Sequence, residues 1–183
     1  MKLPPTALRP FVTVSTEPVL DARIFRVDRV RRRSQAKGLE HDYYRLETVD
    51  WVNVIPVTRR GELVLVRQER HGIGASTLEI PGGMIDGGED PAAAALREMR
   101  EETGNQGAVA EPLGWVHPNP AIQGNRLHMV LARDVVKVGE PTPDTHEEVE
   151  VVTLPVTMAR ELVKSGAITH ALVVCALYML EGL

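Results

Sequence analysis

At 183 residues, with 43% hydrophobic and 25% charged side chains, the chain is long enough for one globular domain with its own core. A formal net charge of −4 excludes a broad cationic face, so nucleic acid is not an expected partner. The single cysteine, Cys175, excludes an internal disulfide framework and fits the cytoplasm, and the proline-broken start MKLPPTALRP has no apolar signal core.

The first fifty residues read as short strands and turns. Ala22–Arg33 alternates apolar and charged side chains before the turn signal Ala36-Lys37-Gly38, which predicts a hairpin. The basic run Val30–Ser34 within it reads as a solvated strand. WVNVIPVT (Trp51–Thr58) and ELVLVRQ (Glu62–Gln68) flank Arg59-Arg60-Gly61 and predict a second hairpin, of core strands. We therefore divide the chain into an N-terminal β-strand region, 1–48, and a main domain, 49–183.

The stretch PGGMIDGGEDP holds four glycines in seven residues, which we read as precluding a regular element. AAAALREMREET follows as a strong helix former, with Asp90 as cap, Pro91 as first helical residue and Gly104 as the stop. Further strands are expected over 126–132 and 149–154, then helices over 156–164 and 169–180, separated by Gly166. Ala171–Leu180 is about half the length of a membrane span, so it reads as a packed terminal helix with Cys175 buried in it and no membrane partner. Hairpins mixed with separated helices point to an α/β fold with a mixed sheet between helices.

The stretch LREMREETG, Leu96–Gly104, sets Glu98, Glu101 and Glu102 on one helix face, at about 0°, −60° and +40° around the axis. Glu98 and Glu102 repel at i, i+4, and only Arg97 with Glu101 offers relief. A solvated helix is the competing reading of such a charge run taken alone. The glycine-rich loop just before it changes the weighting, because carboxylates plus a backbone carbonyl are the hard oxygen ligands that Mg²⁺ or Mn²⁺ prefers.

The whole spacing resembles the signature of the Nudix hydrolase family: Gly83, then Glu89, then Arg97-Glu98-Met99-Arg100-Glu101-Glu102-Thr103-Gly104. One departure follows, Asn105 where the family usually has an aliphatic residue. The resemblance covers roughly Tyr43 to Leu180. It implies a Nudix-type α/β/α sandwich with a small N-terminal β appendage, divalent metal dependence, and hydrolysis of a nucleoside diphosphate linked to another group. Carried over by position, Glu98 and Glu102 ligate metal directly, Glu101 directly or through water, and the Gly82 carbonyl completes the set. Arg97 orients the glutamates and Glu89 braces the loop.

The segment LVLVRQERHG…LEIPGG is similar to the subgroup that cleaves ADP-ribose and other nucleoside diphosphate sugars to a nucleoside monophosphate and a sugar phosphate. It makes Arg70 a substrate contact, with a plain surface arginine as the competing reading, and Glu79 a metal or loop contact. Pro120, 16 residues after Gly104 (120 − 104), matches that subgroup's proline, while Asn125 stands where many members carry glutamate. Asn125 can still hydrogen-bond a ribose or phosphate, against a role in satisfying loop backbone. The general base in this subgroup often comes from an acidic loop, here Gly139–Val152, which makes Glu147 the first candidate and Glu148 and Asp144 the next. Trp51, Phe25 and Tyr44 offer faces for a nucleobase, against core packing. The six histidines show no paired metal spacing and read as structural or solvent-facing. The subgroup is usually a homodimer. Competing activities are hydrolysis of dinucleoside polyphosphates or nucleoside triphosphates, and, outside catalysis, a module that senses a nucleotide sugar without cleaving it.

Overall fold

The computed structural model describes residues 4–107 and 109–180. The chain divides into two compact units, one of residues through Thr48 together with Asn119–Asn125, the other of Val49–Pro118 and the chain from Arg126 onward.

The first unit is a three-stranded antiparallel sheet in the order β1-β2-β3, with β1 at Phe11–Asp21, β2 at Arg26–Ser34 and β3 at Glu40–Glu47. The hairpin turn falls where the sequence signalled it, with Gly38 at φ +69°. The basic run lies on β2, and its arginines are neutralised by acids on the neighbouring strand: Arg31 Nε donates to Asp42 at 2.8 Å and Arg33 Nε to Glu40 at 3.0 Å. Arg32 instead donates to the Phe11 carbonyl on β1 at 2.8 Å. The segment 119–125 joins this sheet through Leu46, whose N–H donates to the Ile122 carbonyl at 2.7 Å. β1 is not the short strand expected, and all 11 of its residues are exposed.

The second unit is an eight-stranded mixed sheet. Its central order is β11-β5-β4-β10-β8, formed by Val149–Pro155, Glu62–Arg70, Trp51–Thr58, Leu127–Lys137 and Asn105–Gln106. β6 (Ala75–Glu79), β7 (Gly82–Met84) and β9 (Val109–Val116) pair with β5, β4 and β10 respectively. β4 and β10 run parallel, and the other pairs are antiparallel. Strand alternation divides the core in two. Ile55, Leu63, Leu65, Leu127, Met129 and Leu131 pack with α3 (Ala171–Leu180), whereas Val52, Val54, Val64, Val130 and Ala132 pack with α1 (Pro91–Thr103). The unit is thus an α/β/α sandwich.

The β4–β5 hairpin forms as expected around Gly61, but its strands part beyond Val57↔Leu63. β6 then pairs with the far half of β5, and β7 with Trp51–Asn53 at the start of β4. This corrects the expectation that the glycine stretch excludes regular structure. Glycine is what admits strand β7, since a Cβ on Gly82 would sit 2.2 Å from the Val52 carbonyl oxygen.

Two further expectations fail. Cys175 is exposed, not buried, because α3 buries Val173, Ala176 and Leu177, and Cys175 lies about 200° around the helix from Val173. Tyr44 is exposed on β3 and is not packed in a core. The final helical region divides into a 3₁₀ turn (Val156–Met158), α2 (Ala159–Lys164) and α3, with Gly166 at φ +75° after α2. Among the described residues no helix is long and apolar enough to cross a membrane.

Candidate active site

The site lies where the β4–β5 hairpin parts and α1 crosses it. α1 starts and stops as its sequence dictates: Asp90 Oδ1 accepts from the N–H groups of Ala92 and Ala93 at 2.9 and 3.2 Å, and Gly104 closes the helix in the left-handed conformation. The apolar face of α1, Ala94, Ala95 and Met99, is fully buried against the sheet, and this rotation turns Glu98 and Glu102 inward beneath the glycine strand. A Cβ on Gly83 would meet Glu98 Oε1 at 2.5 Å, so the missing side chain is the room in which that carboxylate sits.

Arg97 organises the cluster. Its guanidinium donates to both Glu89 oxygens at 3.0 and 2.9 Å, to Glu98 at 2.8 Å, to Glu101 at 3.2 Å and to the Met84 carbonyl at 3.2 Å. A rigid five-donor fork suits this, where a lysine ammonium would not span the same partners. Glu89 in turn accepts from the Asp86 N–H at 3.2 Å, so the loop is held to the helix through one arginine. Arg97 holds the Glu89 carboxyl below its ordinary pKa.

Glu102 has no such partner. It is 3% exposed, and among the described residues the hydrogen bond to its carboxylate comes from the Gly82 N–H at 3.1 Å. Burial first, then the negative charges of Glu98 and Glu147, push its pKa up to about 8. Burial likewise raises Glu98, against the lowering effect of Arg97. The chain has therefore set a buried carboxyl, Glu102, beside a half-buried one, Glu98, and burial raises both. Hard oxygen donors in that state fit a divalent cation.

The donors are not already gathered on one point, and among the described residues no group of three or more His, Cys, Asp or Glu side chains is converged for an ion. Arg97 holds Glu98 and Glu101, while Glu102 turns to Gly82. Gly82 engages the cluster through its N–H, where the sequence pointed to its carbonyl.

Around this centre the structure places the other sequence candidates unevenly. Arg70, at the end of β5, forms a two-pronged bond to Glu79 at 2.8 and 2.7 Å, and the charges of Glu102 and Glu147 reach it. Glu79 is buried at 2% exposure and held below its ordinary pKa; burial opposes this, and the hydrogen bonds from Arg70 and Thr77 overcome it. Glu147, exposed in the loop before β11, contributes negative potential at Glu98, Glu102 and Arg70. Trp51 is half-buried against the α3-side core, with its backbone N–H donating to the Arg126 carbonyl at 2.8 Å. Asn125 belongs to the N-terminal unit, where its side chain accepts from Gln123 at 2.9 Å. The departure at Asn105 is accommodated locally, its amide donating to the Thr103 carbonyl and hydroxyl, both at 3.1 Å.

Sequence reasoning missed Thr77 and His170. Thr77 was detectable, since i and i+2 on a strand share a face and Thr77 donates to Glu79. Nothing local marked His170, whose Nε2 comes within 3.9 Å of Glu79 Oε2 from the start of α3.

The model of the Nudix domain matches residues 48–177. The chain belongs to the Nudix family. Within that family this Nudix chain is similar to proteins named for ADP-ribose and ADP-sugars. It is 40% identical over 118 residues to an ADP-sugar pyrophosphatase of Mus musculus, the match covering 60% of this chain and 54% of that protein's length. It is 30% identical over 131 residues to an ADP-ribose pyrophosphatase of Bacillus subtilis (strain 168), covering 71% of each. The crystal structure of an ADP compounds hydrolase superposes with a TM-score of 0.86, covering 97% of this chain and 96% of that one at 24% identity, which shows that the two share a fold.

Proposed function

We propose that this Nudix chain hydrolyses the pyrophosphate bond of ADP-ribose or a closely related nucleoside diphosphate sugar, releasing a nucleoside monophosphate and a sugar phosphate. The observation that carries the proposal is the buried Glu102 beside the half-buried Glu98 beneath the glycine strand, both raised above their ordinary pKa by burial. Nudix hydrolases generally need a divalent metal, and the oxygen donors here fit Mg²⁺, with Mn²⁺ as a substitute. When bound, such an ion neutralises charge on nonbridging phosphate oxygens and acidifies the attacking water. Glu98, Glu101, Glu102 and the Gly82 carbonyl would hold it. Arg97 sets the directions of Glu98 and Glu101 while anchoring the loop through Glu89. Arg70 supplies the positive charge that an anionic diphosphate needs beside so acidic a helix. Glu147, on the solvent side, takes the proton from water.

The names of the relatives support the choice of substrate class. A homodimer is part of the same proposal, supported by β1, which leaves Phe11, Val12, Val14, Val19 and Leu20 exposed on one strand.

The test is a hydrolysis screen over ADP-ribose, GDP-mannose and ATP, with and without Mg²⁺. Metal-dependent release of AMP and ribose phosphate is expected, with ATP left intact, and Glu98→Gln is expected to lower turnover by ~10²–10³-fold while the protein stays folded. Preference for ATP, or near-normal rates from Glu98→Gln at saturating Mg²⁺, overturns the reading.

A further inference from the structure

Three elements meet at the Glu79 carboxylate. β5 brings Arg70, whose Nε and Nη2 bond Glu79 Oε1 and Oε2 at 2.8 and 2.7 Å. β6 brings Thr77, whose hydroxyl donates to Oε1. The start of α3 brings His170, whose Nε2 lies 3.9 Å from Oε2. The backbone of His170 is itself fixed, since its carbonyl accepts from the N–H groups of Val173 and Val174 at 3.0 and 3.1 Å.

For stability alone, histidine is a poor occupant of this position. Its Nδ1 is buried with no hydrogen-bond partner among the described residues, and an unmet buried polar atom costs about 1–3 kcal/mol. A phenyl ring of similar shape would avoid that cost. What the imidazole adds over a phenyl ring is a polar nitrogen facing the side of Glu79 that Thr77 leaves open. A guanidinium held by a carboxylate fork is only as fixed as the carboxylate. With Nε and Nη2 committed to Glu79, the Nη1 edge is what Arg70 has left to offer a ligand.

We infer that His170 is a positioning residue: it steadies the Glu79 carboxylate from the α3 side and so fixes the direction in which Arg70 presents its remaining N–H groups to the anionic substrate. The inference rests on the proposed function, and its test separates the two.

The experiment is a double-mutant cycle on the full chain with ADP-ribose and Mg²⁺. His170→Phe removes both ring nitrogens at constant shape, His170→Asn keeps a polar group too short to reach Glu79, and His170→Gln restores a donor near the Nε2 position. His170→Phe is expected to raise KM about 3- to 10-fold with kcat changed less than about 2-fold, and His170→Gln to recover most of the loss. In an Arg70→Ala background the same substitution is expected to leave KM where it was. If His170→Phe does not fold, as judged by circular dichroism, His170→Asn takes its place in the cycle. An unchanged KM, a KM effect of equal size with and without Arg70, or no recovery with Gln overturns the role of His170. Wild-type protein that binds ADP-ribose by calorimetry without cleaving it overturns the proposed function alone, and the same cycle is then read in Kd. Wild-type protein that does not bind it overturns both.

Discussion

At Glu102, burial and repulsion act in the same direction, and this has a measurable consequence. An ordinary carboxyl titrates near 4.5, whereas Glu102 in the fold is pushed up to about 8. Folding therefore takes up a proton between those values, and without metal the fold loses stability as pH rises through that window. Carboxylates held below their ordinary pKa, Glu79 and Glu89 among them, act in the opposite sense: they stabilise at higher pH and lose that contribution only in acid. Thermal melts of metal-free protein from pH 5 to 8 are therefore expected to show Glu102→Gln gaining on wild type as pH rises, by an amount on the order of a few kcal/mol at pH 8. Adding saturating Mg²⁺ at pH 8 is expected to raise the Tm of wild type far more than that of the variant. A difference between the two proteins that is flat with pH contradicts the account.

The elements show which local signals suffice. α1 was legible to the residue, because a cap, a proline and a terminal glycine act through backbone hydrogen bonds within one turn. The glycine strand was not legible, because Gly82 is needed for an approach by Val52 and Asn53, thirty residues earlier in the chain. Gly82→Ala is expected to destabilise the protein by about 1–3 kcal/mol in urea titrations and to lower turnover through the displaced β7. The exposure of Cys175 was hidden for a different reason: α3 is apolar nearly all round, so its sequence does not say which face meets the sheet. In the folded protein Cys175 is expected to react fully with a thiol reagent within minutes, where a buried thiol reacts only on unfolding.

Over the whole molecule, the same alternation that builds a two-sided core in the second unit is absent from β1, where both faces are exposed. Light scattering is expected to give twice the monomer mass, and Val14→Lys on β1 to shift the population toward monomer. A monomeric wild type removes the dimer from the proposal.

What the sequence determined by itself is the helix, its caps, the two hairpins and the identity of the acidic cluster with its arginine, because each depends on contacts within one turn or across one tight loop. The tertiary structure alone decided that the hairpin strands part to admit β6 and β7, and that Glu102 is buried while Glu101 stays near solvent. It also decided that Arg70, Glu79 and His170 share one carboxylate. These facts depend on which faces of distant segments meet. No local hydrogen bond or periodicity encodes that, because the free energy of the meeting lies in the burial both partners undergo together.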